Sequence, residues 1–168
     1  PDTTTDDLAK IAYKNHSNGF LNPKARFYGK KITLEDIKNS KVVASPLRVM
    51  DCSISTDGAA AVVLSKDKSD IDIVGSDLST GRLAPFESKD MTTWNGTVIT
   101  RQNALKQAGL THQDINFVEI HDAFSIVELM AYEDLGFCKK GEGAKMIRDG
   151  VVNLDGKLPV NASGGLKA

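Results

Sequence analysis

The sequence predicts a layered α/β protein, because short apolar segments alternate with segments of helical periodicity. The uninterrupted apolar run AAAVVL at residues 59–64 suits a strand that is covered on both faces, although a turn of buried helix has the same pattern. Residues 97–108 have a helical pattern that stops at Gly109, and residues 115–120 form the next strand. A second helix follows directly and ends at Gly136. This order is typical of a sheet with helices packed on its faces.

Two helices are predicted near the start of the chain. Thr4 or Thr5 is expected to cap a helix that continues to about residue 16. Thr33 begins a shorter helix, with Asp36 at the capping-box position. Between these helices lies a loop with the sequence NPKARFYGKK, residues 22–31, which contains both Pro and Gly.

The cations of this loop have two interpretations. Its basic side chains suit a phosphate contact, and Phe27 and Tyr28 offer flat faces to a base. A solvated loop is the commoner use of such a cluster. The cations concerned are Lys24, Arg26, Lys30 and Lys31.

A charged hinge at residues 67–70 is the internal boundary of the chain. Before it we expect residues 1–58 to form one region and residues 59–66 to be its last strand. After it, residues 71–168 open with an alternating strand pattern and close with a strand at residues 158–161.

Composition excludes several classes of function. The 168 residues include 21 Lys and Arg against 22 Asp and Glu, a net charge of −1, which gives no long-range attraction to nucleic acid or to an anionic membrane. No apolar stretch has the roughly 20 residues that span a bilayer. The two cysteines, Cys52 and Cys138, fit a reducing compartment, so a cytoplasmic protein is expected. No metal-binding spacing, phosphate-binding loop or dinucleotide fingerprint occurs.

The segment VEIHDAFSIVEL, residues 118–129, places His121 and Asp122 between a strand and a helix. Asp122 or Ser125 is expected to cap that helix, with Glu128 completing a capping box. His121 lies just beyond the strand, where open α/β sheets bind ligands, so a functional and a structural role are equally supported by position.

The remaining histidines and the cysteines give weaker signals. His16 and His112 have polar sequence neighbours and are expected at the surface. Cys52 follows a carboxylate, which disfavours the thiolate, and Cys138 precedes two lysines on a loop. Neither cysteine is expected to be a nucleophile.

Four stretches in order resemble the thiolase family. They are DCSISTDGAAAVVL, IHDAFS, YEDLGF-x-x-KGEG and LPVNASGGLKA. The resemblance is to the branch with the sterol-carrier-protein-type and archaeal enzymes, in which the motif His-Asp-x-Phe replaces Asn-Glu-Ala-Phe. Residues 121–124 match that motif, and the resemblance covers nearly the whole chain.

The resemblance implies a Claisen condensation of acetyl-CoA, or the reverse thiolysis, through a Cys acyl-enzyme. His121 then holds a water in the oxyanion hole for the enolate, and Ala123 lines the acyl pocket. Ser53 contacts the pantetheine arm, while Lys24 and Arg26 fall in the tail of the CoA-binding loop region. The CoA thioester is the substrate, so no separate cofactor or metal is implied.

The same resemblance implies two similar halves in a five-layer αβαβα core. This chain resembles the end of the first half and the front of the second, and it is expected to be an internal fragment. The nucleophilic Cys is expected before Pro1, and the Gly-His-Pro histidine and second Cys after Ala168. The chain alone is therefore expected to be inactive and to expose unpaired strand edges.

The resemblance also leaves three functional readings open. The first is a homodimeric or homotetrameric synthetic thiolase, and the second is a degradative one. The third is a non-catalytic acyl-CoA- or lipid-binding scaffold. Hydroxymethylglutaryl-CoA synthase is an implied partner, and the missing flanks of the sequence would separate enzyme from scaffold.

Overall fold

The structure is a computed structural model that describes residues 2–82 and 84–167. It contains five α-helices and a two-stranded antiparallel sheet in these ranges. The helices are α1 (Thr5–Leu21), α2 (Leu34–Asn39), α3 (Asn95–Ala108), α4 (Ser125–Asp134) and α5 (Gly143–Arg148), and the strands are β1 (Val42–Ala44) and β2 (Leu47–Arg48). Short 3-10 turns cover Val49–Asp51, Pro85–Glu87, His112–Asp114 and Gly165–Lys167.

Three helix ends lie where local chemistry predicted them. Thr4 is the N-cap of α1, and the carboxylate of Asp7 accepts a 2.8 Å hydrogen bond from the Thr4 main-chain nitrogen. Thr33 caps α2 in a capping box with Asp36. Gly109 ends α3 at φ 67°, in the left-handed region that favours glycine. The first helix is longer than expected, since it continues beyond residue 16 to Leu21.

The prediction of a strand at residues 59–66 was wrong for this structure. The segment has no strand and is exposed, with Val63 at 93%. The alternating pattern at residues 71–75 gives no strand either, and Ile71 is 85% exposed. A strand needs a neighbouring backbone to satisfy its N–H and C=O groups, and no segment among the described residues pairs with these two.

The segments predicted as strands at residues 115–120 and 158–161 pair through a single parallel bridge. Val118 pairs with Val160, with the Val118 nitrogen donating to the Pro159 oxygen at 3.0 Å. The Asn161 nitrogen then donates to the Val118 oxygen at 2.8 Å. Residues 115–120 and 158–161 therefore run side by side, as parallel strands of an α/β protein do.

The hydrophobic core lies between α1, α4 and α5. Its buried members are Leu8, Ile11, Leu129, Tyr132, Ala144, Ile147, Val152 and Val160. A smaller cluster, Ala9, Ala12 and Ile37, packs a second, adjacent side of α1 against α2. The first helix is therefore apolar on two sides and central to the fold. In contrast, α3 buries none of its side chains in the described part of the chain.

Among the residues described, no helix has the length and apolar character needed to cross a membrane.

Candidate active site

The candidate site lies where the chain leaves the Val118–Val160 bridge. Asn161 holds this point, because its Oδ1 accepts a 2.8 Å hydrogen bond from the Ile120 nitrogen. Its backbone has φ 53°, a conformation that asparagine tolerates better than most residues. The next residues, His121 and Asp122, take opposite positions, since His121 is exposed and Asp122 is fully buried.

Asp122 does not cap the following helix, so that prediction was wrong. Its Oδ1 accepts from the Leu166 nitrogen at 2.6 Å, and its Oδ2 accepts from Asn15 Nδ2 at 2.8 Å. The Nζ of Lys167 donates to Oδ2 at 3.0 Å and to the Asp122 main-chain oxygen at 2.6 Å. All polar atoms of the carboxylate are engaged by residues distant in sequence, which leaves none for the N-terminus of α4.

Ser125 and Glu128 do not form the expected capping box either. The N-cap position is Phe124, and the Ser125 hydroxyl donates to Asp51 Oδ1 at 3.0 Å. The side chains of Ser125 and Glu128 are both fully buried. Tertiary partners have replaced the local hydrogen bonds that the sequence suggested.

Glu128 is the centre of a buried polar network. One carboxylate oxygen accepts from Asn15 Nδ2 at 2.5 Å and from Asn161 Nδ2 at 3.1 Å. The other lies 2.9 Å from Lys14 Nζ and accepts from the Tyr132 hydroxyl. Burial, and then the adjacent Glu128 charge, raise the pKa of Tyr132 well above its usual value, so the phenol remains a donor.

Sequence reasoning missed this network because it treats polar helix residues as solvated. Lys14, Asn15 and Asn18 lie on α1 yet are buried, and Asn18 Nδ2 donates to the Asn161 oxygen at 2.9 Å. The available signal was their spacing, since residues 11, 14, 15 and 18 recur at the i, i+3, i+4 and i+7 positions of one helix face.

His16 lies inside the protein, which corrects the expectation that it is a surface residue. It is 3% exposed, and neither ring nitrogen has a hydrogen-bond partner among the described residues. The ring packs edge-on against Phe27 at 4.9 Å between centroids. Burial, and then the Lys167 charge, lower the pKa of His16 to about 4, so the imidazole is neutral at physiological pH.

The pocket beside His16 is open and has a volume of about 640 Å³. It lies between α1 and the residues that lead into α2. Its other lining residues are Tyr13, Ser17, Phe20, Lys31, Ile32, Thr33 and Leu34.

The structure brings together Ser53 and Ala123, two of the residues that the resemblance selected, and His121 lies two positions before Ala123 in the chain. The Ser53 nitrogen donates to the Ala123 oxygen at 2.8 Å, and Cys52 and Phe124 form an antiparallel bridge beside them. Ser53 and Ala123 are partly exposed, and His121 precedes Ala123 by two positions. A substrate at this edge can therefore reach side chains from two separate parts of the chain.

Lys24 and Arg26 remain exposed on the loop between α1 and α2. The start of the loop is fixed near the site, because Asn22 Nδ2 donates to the Ser163 oxygen at 2.9 Å. Lys30 Nζ lies 5.4 Å from the centre of the Phe27 ring. Contact of Lys24 or Arg26 with phosphate stays a prediction.

Neither cysteine of the chain is set up as a nucleophile. Burial, and then the Asp51 charge, raise the pKa of Cys52. Burial, and then the charges of Glu133 and Glu142, raise the pKa of Cys138 to about 12. Both are thiols at neutral pH, and the thiolate is the reactive form.

Comparison with known proteins identifies a family and several relatives of this chain. A family model described as "Thiolase C-terminal domain-like" matches residues 80–168. The acetyl-CoA acetyltransferase of Methanothermobacter thermautotrophicus is 44% identical over 99% of this chain and 45% of its own length. The benzoylsuccinyl-CoA thiolase subunit BbsB of Thauera aromatica is 40% identical over 97% of this chain and 44% of its own length. Sterol carrier protein 2 of Bos taurus is 32% identical over 98% of this chain and 32% of its own length.

A solved structure is similar to this chain in fold as well. The Ltp2-ChsH2(DUF35) aldolase superposes with a TM-score of 0.84 at 27% identity, over 97% of this chain and 46% of that chain. These similarities define an α/β protein with a thiolase-like fold. The chain belongs to the thiolase family, which confirms the resemblance found in its motifs. It spans less than half the length of the relatives named here.

Proposed function

We propose that the protein carrying this chain is a thiolase-type acyltransferase, which condenses acetyl-CoA with an acyl thioester or performs the reverse thiolysis. The observation that carries the proposal is the hydrogen bond between Ser53 and Ala123 beside His121. It places a residue expected to meet pantetheine next to one expected to line the acyl pocket. The family membership supports the same chemistry.

In this proposal His121 serves the developing enolate. When a base removes a proton from the methyl group of acetyl-CoA, negative charge moves onto the thioester oxygen. An imidazole N–H that donates to a water, which donates to that oxygen, stabilises the charge. The exposed position of His121 leaves room for such a water. One oxyanion-hole donor is typically worth about 10²–10³-fold in turnover.

The nucleophile and the base of the reaction come, in our proposal, from other parts of the protein. Cys52 and Cys138 have raised pKa values and are unsuited to accept the acyl group. Catalytic groups that act as a unit lose nearly all activity when one is missing. We therefore propose that the 168-residue chain alone has no thiolase turnover.

The CoA contacts follow from the same placement. Ser53 would meet the pantetheine arm, Ala123 the acyl group, and Lys24 or Arg26 a phosphate. CoA enters as part of the substrate, so the proposal needs no further cofactor. A homodimer or homotetramer, a cytoplasmic location and an association with hydroxymethylglutaryl-CoA synthase complete it.

The test uses the whole protein that carries this chain. Thiolysis of acetoacetyl-CoA by CoA is followed through loss of the substrate's enolate absorbance. We expect His121→Ala to lower kcat by about 10²–10³-fold. The matched control is His112→Ala, since His112 is an exposed histidine in a separate 3-10 turn and its loss should leave kcat unchanged. Full turnover by His121→Ala would overturn the role given to His121.

A second candidate is a non-catalytic acyl-CoA- or lipid-binding scaffold. It is favoured by the similarity to proteins named sterol carrier protein 2. Calorimetric titration of the whole protein with acetyl-CoA, combined with the thiolysis assay, separates the two functions. Binding of acetyl-CoA without turnover in either direction supports the scaffold, whereas turnover supports the enzyme.

A further inference from the structure

The lysine at position 167 is fully buried, and within residues 2–82 and 84–167 its ammonium group binds only Asp122. Its Nζ donates to Oδ2 of Asp122 at 3.0 Å and to the main-chain oxygen of Asp122 at 2.6 Å. The second contact fixes the peptide plane between Asp122 and Ala123. That peptide lies between two residues of the candidate site, since His121 comes before it in the chain and Ala123 comes after it.

The turn that carries Lys167 is shaped to approach Asp122 closely. Gly165 has φ +63°, and a Cβ at this position would lie 2.4 Å from Asp122 Oδ1 and 2.8 Å from Asn161 Nδ2. The Leu166 nitrogen donates to Oδ1 at 2.6 Å. A side chain at residue 165 would push the turn away from the carboxylate and open both contacts.

Asp122 is held from a second direction by α1. Asn15 Nδ2 lies 2.8 Å from Asp122 Oδ2, and the same amide binds Glu128. Ile120, the residue before His121, has one such restraint, the hydrogen bond from its nitrogen to Asn161 Oδ1, whereas Asp122 after it is held by both α1 and the turn of residues 165–167. Of the two neighbours of His121, Asp122 therefore has the larger number of hydrogen bonds to distant residues.

A contribution to stability alone does not explain the buried ion pair between Asp122 and Lys167. Desolvation of two opposite charges offsets most of their attraction, and apolar residues of similar size are often as stable. An ion pair differs from an apolar contact in that it fixes one geometry. The buried charges are therefore best explained by a requirement for position.

We propose that Asp122 and Lys167 are positioning residues that orient His121 where the chain leaves the Val118–Val160 bridge. Lys167 acts on the main chain of Asp122, and Asp122 acts on its neighbour, so neither needs to touch the substrate. The catalytic consequence rests on the proposed function. The structural consequence does not, and it can be measured on this chain directly.

The structural test follows the imidazole resonances of the isotopically labelled chain by NMR. Lys167→Met should shift or broaden the signals of His121 and leave those of exposed His112 unchanged. Lys167→Arg keeps the cation but not its compact shape, and it gives a second measurement if the methionine variant does not fold. We expect a smaller change of the same His121 signals.

The matched control is Arg148→Met, which breaks the remote pair with Asp7 and lowers stability without contacting residues 121–123. Its His121 signals should coincide with those of the wild type. If folded Lys167→Met or Lys167→Arg leaves the His121 signals unmoved, or if Arg148→Met moves them equally, the proposal is wrong.

The catalytic test uses thiolysis by the whole protein. A displacement of about 1 Å near the reacting atoms typically costs about 10²-fold. Lys167→Met is therefore expected to lower kcat by about 10–10²-fold with little change in KM, and Lys167→Arg to recover part of it. Absence of turnover in the wild type contradicts the proposed function and leaves the NMR result to decide the positioning role.

Discussion

The main-chain nitrogen of Ser53 lies 2.8 Å from the main-chain oxygen of Ala123 and donates a hydrogen bond to it. This contact joins two parts of the chain that are separated by a long exposed segment. Residues 55–74 in that segment are exposed and belong to no helix or strand. The candidate site is thus held by noncovalent contacts and does not depend on the connection between its two parts.

A cut within the segment should leave the two parts together. Trypsin is expected to cleave first at exposed Lys66 or Lys68, and long before buried Lys14 or Lys167. The two pieces should elute as one species in gel filtration, because the core residues of α1 pack against α4 and α5. Lys66→Gln with Lys68→Gln is the control and should delay the cut. Separation of the pieces without denaturant would contradict the finding.

The helix ends could be predicted from sequence because their chemistry is local. Thr4 and Thr33 cap helices through Asp7 and Asp36, each three residues along the chain, and Gly109 is needed where φ becomes positive. The strand at residues 59–64 was predicted wrongly for the opposite reason. Apolar composition shows that a segment favours burial, but strand formation depends on a partner distant in sequence.

The candidate site was only partly predictable. The motif match selected Ser53, Ala123 and His121, and the contact between Ser53 and Ala123 could be found only from the fold. Asp122 was misjudged because a local capping role was available to it. Its actual partners, Asn15 and Lys167, are 107 and 45 residues away. Local pattern rules give no means of finding such pairs.

Asp7 gives a prediction about acid stability. The Arg148 guanidinium lowers the pKa of Asp7 to about 2 from 3.8. Because the folded value is below the unfolded one, the stabilisation is present above about pH 3.8 and is lost as the pH falls towards 2. Asp7→Asn should lower the free energy of unfolding by about 1 kcal/mol at pH 7, a value reduced for the partial exposure of Arg148.

Urea unfolding at pH 7 and near pH 2 checks this prediction. Asp6→Asn is the matched control, because Asp6 pairs with Lys38 at 3.0 Å but is largely exposed. Its effect should be within measurement error. A difference between Asp7→Asn and wild type that is as large near pH 2 as at pH 7 would count against the ion pair.

His16 gives a second pH dependence of the free energy of unfolding, at higher pH than that of Asp7. Its pKa is lowered from 6.5 to about 4, chiefly by burial, so the unfolded state binds the proton more readily. The contribution of neutral His16 to the free energy of unfolding is fully present above about pH 6.5. It falls as the pH decreases to 4, with little further loss below. The loss amounts to on the order of 3 kcal/mol for this residue.

His16→Phe should flatten the dependence between pH 6.5 and 4, since phenylalanine occupies a similar space against Phe27 and carries no proton. Unfolding by urea at several pH values measures it. His112→Gln removes an exposed histidine and should keep the wild-type slope. If His16→Phe and wild type lose stability in parallel, His16 is not the group responsible.

Glu128 is expected to be a carboxylate on which the stability of the fold depends strongly. Glu128→Gln leaves the buried ammonium of Lys14 without its charge partner and alters the hydrogen bonds of Asn15, Asn161 and Tyr132. Breaking a buried pair in this way typically costs about 3–5 kcal/mol. Glu87→Gln is the control, because Glu87 is exposed and its loss should change the free energy of unfolding little.

A second substitution separates the charge from the hydrogen bonds. Lys14→Met in the Glu128→Gln background removes the unpaired ammonium, so the double variant should be more stable than the sum of the two single losses predicts. Urea unfolding of the four proteins in this cycle measures the coupling. Additive losses would mean that Lys14 and Glu128 do not stabilise the fold as a pair, and that the hydrogen bonds from Asn15, Asn161 and Tyr132 hold Glu128 in place.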